Sequence, residues 1–319
     1  MSEKALLFIH ALTSLHPGSG TALGTVDLPV QRERHTNWPI IPGSTLKGIL
    51  RDACREKIII NRKLQDDGPE KEENKRLTKR RKADVDAELT TVFGPPTLDS
   101  SAHAGALSIT DARILAFPVR SLRGVFAWVT CPGVLQRLSR DLVLAGLDSL
   151  PEWPEPDKEK LFCINDSPLL VDGDKVVLEE FEFTKSNKED NDLADWFAQR
   201  SVKDQNTKER IKTHLAVLND DDFTHFVRHA TEIVARIGLN YETKTVRSGA
   251  LFYEEFLPPE TLFYSVVLAG EGRNNSHNKS AEEVLKFLSD NRIDYLQIGG
   301  DETIGKGYCA VRLYSEEKS

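Results

Sequence analysis

The spacing of apolar and polar positions divides the chain into short strands and amphipathic helices. Compact apolar runs between turn-forming residues are typical of strands, whereas apolar residues three and four positions apart are typical of one face of a helix. The first pattern predicts strands over residues 4–12, 107–109, 113–118, 124–130, 175–183, 262–268, 294–298 and 308–314. The second predicts a helix capped by Ser44 or Thr45 and further helices over residues 132–147, 193–200, 224–236 and 280–289.

Residues 240–253 alternate apolar and polar side chains on either side of a polar turn, which predicts a β-hairpin. Strands and helices interleave along the chain without a long series of parallel strand–helix–strand units. This arrangement favours an α+β fold, with an antiparallel sheet and helices. Two charged stretches, residues 56–88 and 150–222, interrupt the pattern. We therefore interpret residues 1–319 as one elaborated domain with two insertions.

The composition is that of a folded, well-solvated chain. The 319 residues are 39% hydrophobic and 29% charged, with a net charge of −8. Negative charge is concentrated in the stretch 150–222, which has 19 Asp or Glu against 10 Lys or Arg, so a basic surface can lie elsewhere. The chain lacks a membrane-length apolar run, a signal-peptide pattern and closely spaced cysteines. These features predict a cytoplasmic protein with reduced thiols and no membrane contact.

One glycine-rich segment carries the residue types that bind phosphate groups. It holds four glycines and a lysine, so bare backbone amides can approach an anion closely. The order of residues differs from a Walker motif, which argues against nucleotide hydrolysis. A bulged hairpin without a ligand is the alternative interpretation. The residues concerned are Gly299, Gly300, Gly305, Lys306 and Gly307.

The predicted helix start is a second phosphate-binding candidate. Its free amides lie beside Ser44, and Lys47 and Arg51 lie one turn apart on the same face. Together they would hold a phosphate backbone without reading bases. An ordinary capped helix with two solvated bases is the alternative. Arg120 and Arg123, just before a predicted buried strand, are further candidates for phosphate or base contacts, and simple solvation fits them equally well.

The stretch HPGSGTALGTVDLPVQRERH, residues 16–35, is rich in glycine and proline and therefore predicts a loop. Asp27 lies in this loop between two apolar residues. A carboxylate in such a place is either a turn residue or a group that can act as a base or a metal ligand. His16, at the start of the loop, is open to a structural role, a phosphate contact or proton transfer.

Seven short motifs, spread over nearly the whole chain, carry a family resemblance. They are HPGSG from His16, VDLPVQRERHT from Val26, IPGSTLKG from Ile41, FGPP from Phe93, FPVRS from Phe117, GALFYEE from Gly249, and LQIGG from Leu296 with the glycines that follow. This set resembles the RAMP superfamily of CRISPR systems. Within it, the chain resembles the family of the backbone-forming fourth subunit of the type III-B Cmr effector complex, an RNA-guided antiviral assembly. The two charged stretches contribute little to the resemblance.

The resemblance implies a ferredoxin-like core that stacks head-to-tail along a CRISPR guide RNA. The implied partners are the guide RNA, a complementary target RNA, other copies of the chain and other Cmr subunits. A thumb-like hairpin would interrupt the guide–target duplex, and residues 240–251 are the candidate. The residues that would bind the guide backbone are Ser44, Lys47, Arg51 and the glycine-rich segment 299–307, with Arg120 and Arg123 in addition.

The resemblance also implies cleavage of the bound target RNA at regular spacing, dependent on a divalent metal ion, Mg²⁺ or Mn²⁺, whose ligands are unknown. Asp27 corresponds to the family's catalytic aspartate, and His16 and Glu254 are similar to residues that support it. Phe256 stands where relatives carry an aromatic hydroxyl. Glu254, next to another glutamate, is also compatible with simple solvation.

Two other functions remain open on the sequence. One is a structural RNA-binding subunit of the same assembly without catalysis, and the other is a stand-alone guide-processing ribonuclease on a related fold. An aspartate in a turn-rich loop favours the cleaving subunit over the first. The absence of a clear His, Lys or Tyr acid–base pair argues against the second.

Overall fold

The computed structural model describes residues 2–22, 24–64, 72–96, 103–186, 191–274 and 278–315. Over these residues the chain forms an α+β fold, as the sequence predicted. The strands are β1 (Glu3–Ala11), β2 (Ile40–Ile41), β3 (Leu107–Ile109), β4 (Ala112–Arg120), β5 (Phe126–Thr130), β6 (Lys160–Leu161), β7 (Lys175–Leu178), β8 (Phe181–Lys185), β9 (Leu215–Val217), β10 (Glu232–Leu239), β11 (Val246–Phe256), β12 (Leu262–Ala269), β13 (Tyr295–Gln297) and β14 (Tyr308–Tyr314). The helices are α1 (Gly43–Asn61), α2 (Glu72–Asp84), α3 (Ala87–Phe93), α4 (Pro132–Ala145), α5 (Asn191–Ser201), α6 (Gln205–His214), α7 (Asp220–His229) and α8 (Ala281–Asp290).

The large sheet has the strand order β13-β14-β1-β12-β4-β5-β9, with β2 added at β4 and β3 at β12. β1 lies inside it and pairs antiparallel with both β12 and β14. Its last seven residues are all buried, which explains why, apart from His10, its sequence is an apolar run rather than an alternating one. The path β1-α1-β4-β12-α8-β14, with β14, β1, β12 and β4 side by side, is the ferredoxin-like arrangement.

Helices cover this sheet through apolar faces that the sequence pattern predicted. In α1 the residues Leu46, Leu50, Cys54 and Ile58 are buried at a spacing of four, one above the other. α8 starts with a capping box, in which the Ser280 side chain accepts from Glu283 N–H and the Glu283 side chain accepts from Ser280 N–H. In the described ranges, none of the helices combines the length and the apolar character needed to cross a membrane.

The predicted cap of α1 is wrong. The helix begins at Gly43 after Pro42, and Ser44 and Thr45 lie inside its first turn without capping it. The amide of Gly43 instead donates to Asp111 Oδ1, 2.7 Å away on the turn between β3 and β4. A carboxylate that is distant in sequence therefore satisfies one amide that the sequence had left free for phosphate.

Two further boundaries differ from the prediction. The strand predicted over 175–183 is a hairpin of β7 and β8, because Glu179 adopts a left-handed turn conformation with φ of 49°. The helix predicted over 224–236 ends at His229, and the chain enters β10 at Glu232. Its start also lies earlier, since the Asn219 side chain accepts from Asp222 N–H and caps α7.

The predicted hairpin is present and is longer than expected. β10 and β11 pair from Glu232 with Phe256 up to Leu239 with Val246, and residues 240–245 form the turn. The range 240–251 therefore contains the tip and part of the second strand but none of the first. The ribbon is a separate two-stranded sheet, and apolar side chains on both of its strands, among them Ile237, Leu239 and Leu251, are more than half exposed.

The two charged stretches are tied into the rest of the fold. Within 150–222, β9 pairs parallel with β5 in the large sheet, and Trp196 of α5 packs edge-on against Phe8 of β1. Within 56–88, α2 folds back on α1, where Arg80 donates to the side chains of Asp52 and Glu56.

Candidate active site and RNA-binding residues

The glycine-rich loop after β13 closes over the backbone that leads to His16. The Gly300 amide donates to the His16 carbonyl at 3.0 Å, and the Gly307 amide donates to the Ser14 carbonyl at 2.9 Å. Gly299, with φ of +83°, lies so close that a Cβ there would be 2.2 Å from the His16 carbonyl oxygen. The amides of Gly305 and Lys306 donate to carbonyls within the loop itself, so four of the five amides assigned from sequence to phosphate are engaged inside the protein. The loop holds the chain at His16 in place.

A matched pair of alanine substitutions tests this close approach. Gly299→Ala and Gly305→Ala both put a side chain at a positive φ, which costs about 1–2 kcal/mol. Only the first also creates a clash, because among the described residues nothing lies within 4 Å of a Cβ at Gly305. We expect Gly299→Ala to lower the free energy of unfolding by a further ~1–3 kcal/mol, measured by urea denaturation. Equal losses of stability in the two variants would contradict the close approach.

The loop that carries Asp27 lies against the hairpin strand β11. Asp27 Oδ2 accepts from the Tyr253 amide at 2.7 Å, and the Asp27 amide donates back to the Tyr253 carbonyl at 3.1 Å. Leu28 then forms a parallel bridge with Glu254. Asp27 is half-buried, and within the described ranges no protein donor contacts its second oxygen, Oδ1. The carboxylate thus anchors the loop with one oxygen and presents the other.

His16 and Glu254, two of the predicted site residues, lie side by side. His16 Nδ1 donates to the Glu255 carbonyl at 2.7 Å, so Nε2 is the nitrogen that faces the Glu254 carboxylate, 3.6 Å away. Both side chains are buried. Burial raises the pKa of Glu254, and its hydrogen bond with Asp301 and the charge of Asp301 act in the same direction, whereas His16 and Arg236 lower it.

Arg236 and Asp301 complete this cluster. The Arg236 guanidinium donates to both Asp301 oxygens at 3.1 Å and pairs with Glu254 Oε2 at 3.0 Å. Sequence reasoning missed both residues. Arg236 lay inside a predicted helix, and Asp301 lay in the glycine-rich segment that was predicted to bind phosphate. An acidic side chain inside a supposed phosphate-binding loop was the signal that pointed to another role.

Glu255 and Phe256, which follow Glu254 on β11, pack around the cluster. The Glu255 carboxylate accepts hydrogen bonds from the Arg32 guanidinium at 2.6 Å and from the Val30 amide at 2.9 Å. These bonds connect the far end of the Asp27 loop to β11. Phe256 is fully buried, its ring centroid 5.5 Å from that of His16. Lys306 Nζ lies 4.9 Å from the centroid of the same ring. Phe256 therefore supplies packing and a cation–π interaction, and it has no hydroxyl to donate.

The predicted RNA-binding residues outside the glycine loop lie on other elements. Within the described residues, no hydrogen bond or ion pair joins them to the His16 cluster. Lys47 is half-buried, and burial together with the nearby Arg51 lowers its pKa. Arg51 itself donates to the Gly94 carbonyl at 2.7 Å, and Arg120 and Arg123 contact Glu179 and the Leu170 carbonyl respectively. Lys47 is therefore the cation of this set with no protein partner among the described residues.

The site residues do not by themselves form a closed metal site. Over the described ranges, no three His, Cys, Asp or Glu side chains are grouped so that they could hold an ion. The Glu254 and Asp301 carboxylates already share Arg236, and one Asp27 oxygen is bound to an amide.

Comparison with known proteins places this arrangement in a family. Residues 8–310 match the RAMP superfamily. Over 311 residues the chain is 41% identical to the CRISPR system Cmr endoribonuclease Cmr4 of Pyrococcus furiosus, an alignment that covers 97% of this chain and 95% of that protein. The chain belongs to the Cmr4 family of the RAMP superfamily.

Solved structures agree with membership in the Cmr4 family. The crystal structure of oligomeric Cmr4 from Pyrococcus furiosus superimposes with a TM-score of 0.69 at 31% identity and covers 99% of both chains. A cryo-EM structure of the type III-B Cmr-beta bound to cognate target RNA gives a TM-score of 0.66 over 97% of this chain and 96% of that one. At 21% identity, the second likeness concerns the fold alone. The family resemblance carried by the seven motifs is confirmed.

Proposed function

We propose that this chain is the guide-binding backbone subunit of a type III-B CRISPR effector and cleaves the target RNA paired with that guide. The observation that carries the proposal is that Asp27 binds the Tyr253 amide while His16 pairs with the adjacent residue Glu254, both on the stem of the hairpin. The Pyrococcus relative, 41% identical, is named a Cmr endoribonuclease. Guide and target RNA meet in the cytoplasm, where we place the protein.

RNA supplies the nucleophile for this reaction, so the protein has little covalent chemistry to do. The 2′-hydroxyl oxygen bonds to the adjacent phosphorus while the bond from phosphorus to the 5′-oxygen breaks. The 2′-oxygen loses a proton, and the leaving 5′-oxygen gains one. Asp27, with one carboxylate oxygen uncommitted among the described residues, takes the first proton. Glu254, whose raised pKa favours a bound proton, provides the second, and His16 lies beside it in a supporting role.

The exposed hairpin suits a role in preparing the RNA. In-line attack requires one nucleotide to be splayed so that its 2′-oxygen, phosphorus and 5′-oxygen align. The ribbon of β10 and β11 presents exposed apolar side chains, with Tyr241 at its turn 85% exposed, and such groups stack on or wedge between bases. The catalytic cluster lies at its base. We therefore propose that the whole ribbon, residues 232–256, is the thumb that interrupts the duplex.

We propose that the protein binds the sugar–phosphate backbone of the guide RNA. Among the described residues, Lys47 offers an unpaired charge at the start of α1, and pairing with the guide, rather than protein contacts, reads the target sequence. A head-to-tail contact between copies that does not close into a ring gives a filament, and the Pyrococcus homologue is described as oligomeric. Regularly spaced copies would cut the target RNA at regular intervals. The other Cmr subunits are proposed as further partners.

A divalent ion, Mg²⁺ or Mn²⁺, is proposed as a requirement for cleavage. Such an ion would stabilise charge on the phosphate during the reaction. Its ligands would come mainly from RNA and water, since the described side chains do not form a closed site. No step of the proton transfers above passes through it.

A structural subunit without catalysis is the second candidate. The bond from the Tyr253 amide to Asp27 Oδ2 gives this carboxylate a loop-anchoring role that needs no chemistry. In that case the residues of the site would serve RNA binding alone, and cleavage would belong to another subunit.

A cleavage assay on the assembled complex decides between the two. Target RNA labelled at its 5′ end is added to complex with a matching guide, in Mg²⁺, in Mn²⁺ and with EDTA. We expect evenly spaced products with a metal ion and intact RNA with EDTA. A complex that binds target but leaves it intact in every buffer would support the structural role.

A further inference from the structure

Arg236 connects three parts of the chain that are far apart in sequence. It projects from β10, pairs with Glu254 on β11 and donates to both oxygens of Asp301 in the glycine-rich loop. A bidentate pair between guanidinium and carboxylate fixes orientation as well as distance. The Arg236 side chain is only 26% exposed, so solvent screens these interactions less than those of a surface ion pair.

The position of Arg236 in the ribbon explains how these interactions hold the stem of the hairpin. Val234 is the partner of Glu254 in the strand register, and Arg236 is the partner of Phe252, so Arg236 reaches Glu254 diagonally on the same face. Within the described residues, Arg236 provides the side-chain hydrogen bonds that join β10 to an element other than β11. The β11 side of the stem is held separately, by the Asp27 loop.

We propose that Arg236 is a positioning residue for RNA cleavage, which holds the Glu254 carboxylate beside His16 and fixes the stem of the hairpin against the glycine-rich loop. The inference rests on the proposed function, because it concerns the same site. Arg236 and Asp301 need not touch RNA for this role. They act through Glu254 and through the orientation of the ribbon.

The charges around Glu254 make the role measurable. Three ionisable groups face it, namely His16 from the opening loop, Arg236 from β10 and Asp301 from the glycine-rich loop, and Lys306 lies beyond the Phe256 ring. Arg236 lowers the pKa of Glu254, whereas Asp301 raises it. Removing either partner breaks the same bidentate pair, but the two removals move the pKa of Glu254 in opposite directions.

The experiment measures single-turnover cleavage against pH in assembled complexes that contain Arg236→Gln, Asp301→Asn or Arg236→Lys. We expect Arg236→Gln to lower the rate by ~10–100-fold, because a small misplacement of a reacting group costs this much. Its pH–rate profile should move upward, because a positive charge beside Glu254 is lost, and that of Asp301→Asn should move downward. Arg236→Lys keeps the charge, so its profile should stay in place while the rate partly recovers. Arg228→Gln, an exposed arginine on α7, is the control.

Each outcome counts for or against the inference. Opposite pH shifts with normal guide binding support it, whereas shifts in the same direction, or an unchanged rate and profile in Arg236→Gln, overturn it. If Arg236→Gln fails to assemble, the downward shift of Asp301→Asn and the unmoved profile of Arg236→Lys decide the matter, and their absence overturns it. Cleavage that persists in Asp27→Asn would instead overturn the proposed function, so the two failures are distinguishable.

Discussion

Replacing Asp27 by asparagine should lower the rate of target-RNA cleavage by at least ~100-fold while guide binding stays unchanged. Asparagine keeps a side-chain oxygen that can accept from the Tyr253 amide, so the loop retains its anchor on β11. What it loses is the negative charge and the ability to take a proton. Single-turnover cleavage in assembled complex measures the rate, and a mobility-shift assay measures guide binding.

The control for Asp27 is a substitution that loosens the same loop without touching the carboxylate. Ser19 Oγ donates to the Pro29 carbonyl at 3.1 Å across the loop, and Ser19→Ala removes this bond. We expect Ser19→Ala to cut at nearly the rate of the unaltered chain. If Asp27→Asn also cuts normally, or if Ser19→Ala loses as much activity, the catalytic role of Asp27 is excluded.

Charge reversal at Lys47 should weaken assembly on guide RNA by roughly tenfold or more, and the deficit should depend on salt. Lys47 has no ion-pair partner among the described residues, so Lys47→Glu removes a positive charge from the phosphate backbone without breaking a bond inside the protein. The slope of the logarithm of affinity against the logarithm of salt concentration should fall by about one for each phosphate that is no longer neutralised. Filament formation on guide RNA, followed by mobility shift at several salt concentrations, measures both quantities.

Lys57→Glu is the matched control, because Lys57 is an exposed lysine farther along the same helix. It changes the net charge equally, and we expect little effect on assembly. Arg51→Glu is a poorer probe than the sequence suggested, since Arg51 donates to the Gly94 carbonyl and its loss would destabilise the fold. Equal defects in Lys47→Glu and Lys57→Glu would indicate a general charge effect in place of a specific interaction with phosphate.

Much of the fold follows from local patterns. The strand β1, the apolar face of α1 and the amphipathic helix α8 are each encoded within a few neighbouring residues, and each is confirmed. The family resemblance put Asp27, His16 and Glu254 in one site and assigned the glycine-rich loop to the guide backbone. In the structure His16 lies beside Glu254, and the glycine-rich loop packs against the backbone at His16. The ferredoxin-like order of strands is likewise confirmed.

The errors arise where distant residues decide a local outcome. Gly43 begins α1 because Asp111, 68 positions later, accepts its amide, so a search for a neighbouring cap pointed to Ser44 or Thr45. The glycine-rich loop looked like a phosphate site because free amides are visible in sequence, whereas the carbonyls of Ser14 and His16 that occupy them are not. Arg236 was missed for the same reason, since its role depends on ion pairs with Asp301 and Glu254, which lie on other elements.

The interior position of β1 has a consequence for the synthesis of the chain. β1 is made before the other described strands, yet its two partners, β12 and β14, begin only at Leu262 and Tyr308. The growing polypeptide therefore carries an unpaired apolar strand until these partners emerge, and such strands are prone to aggregate until covered. The glycine-rich loop that holds His16 also emerges after β12. A nascent chain that stops short of this loop thus lacks the backbone contacts that hold His16 in place.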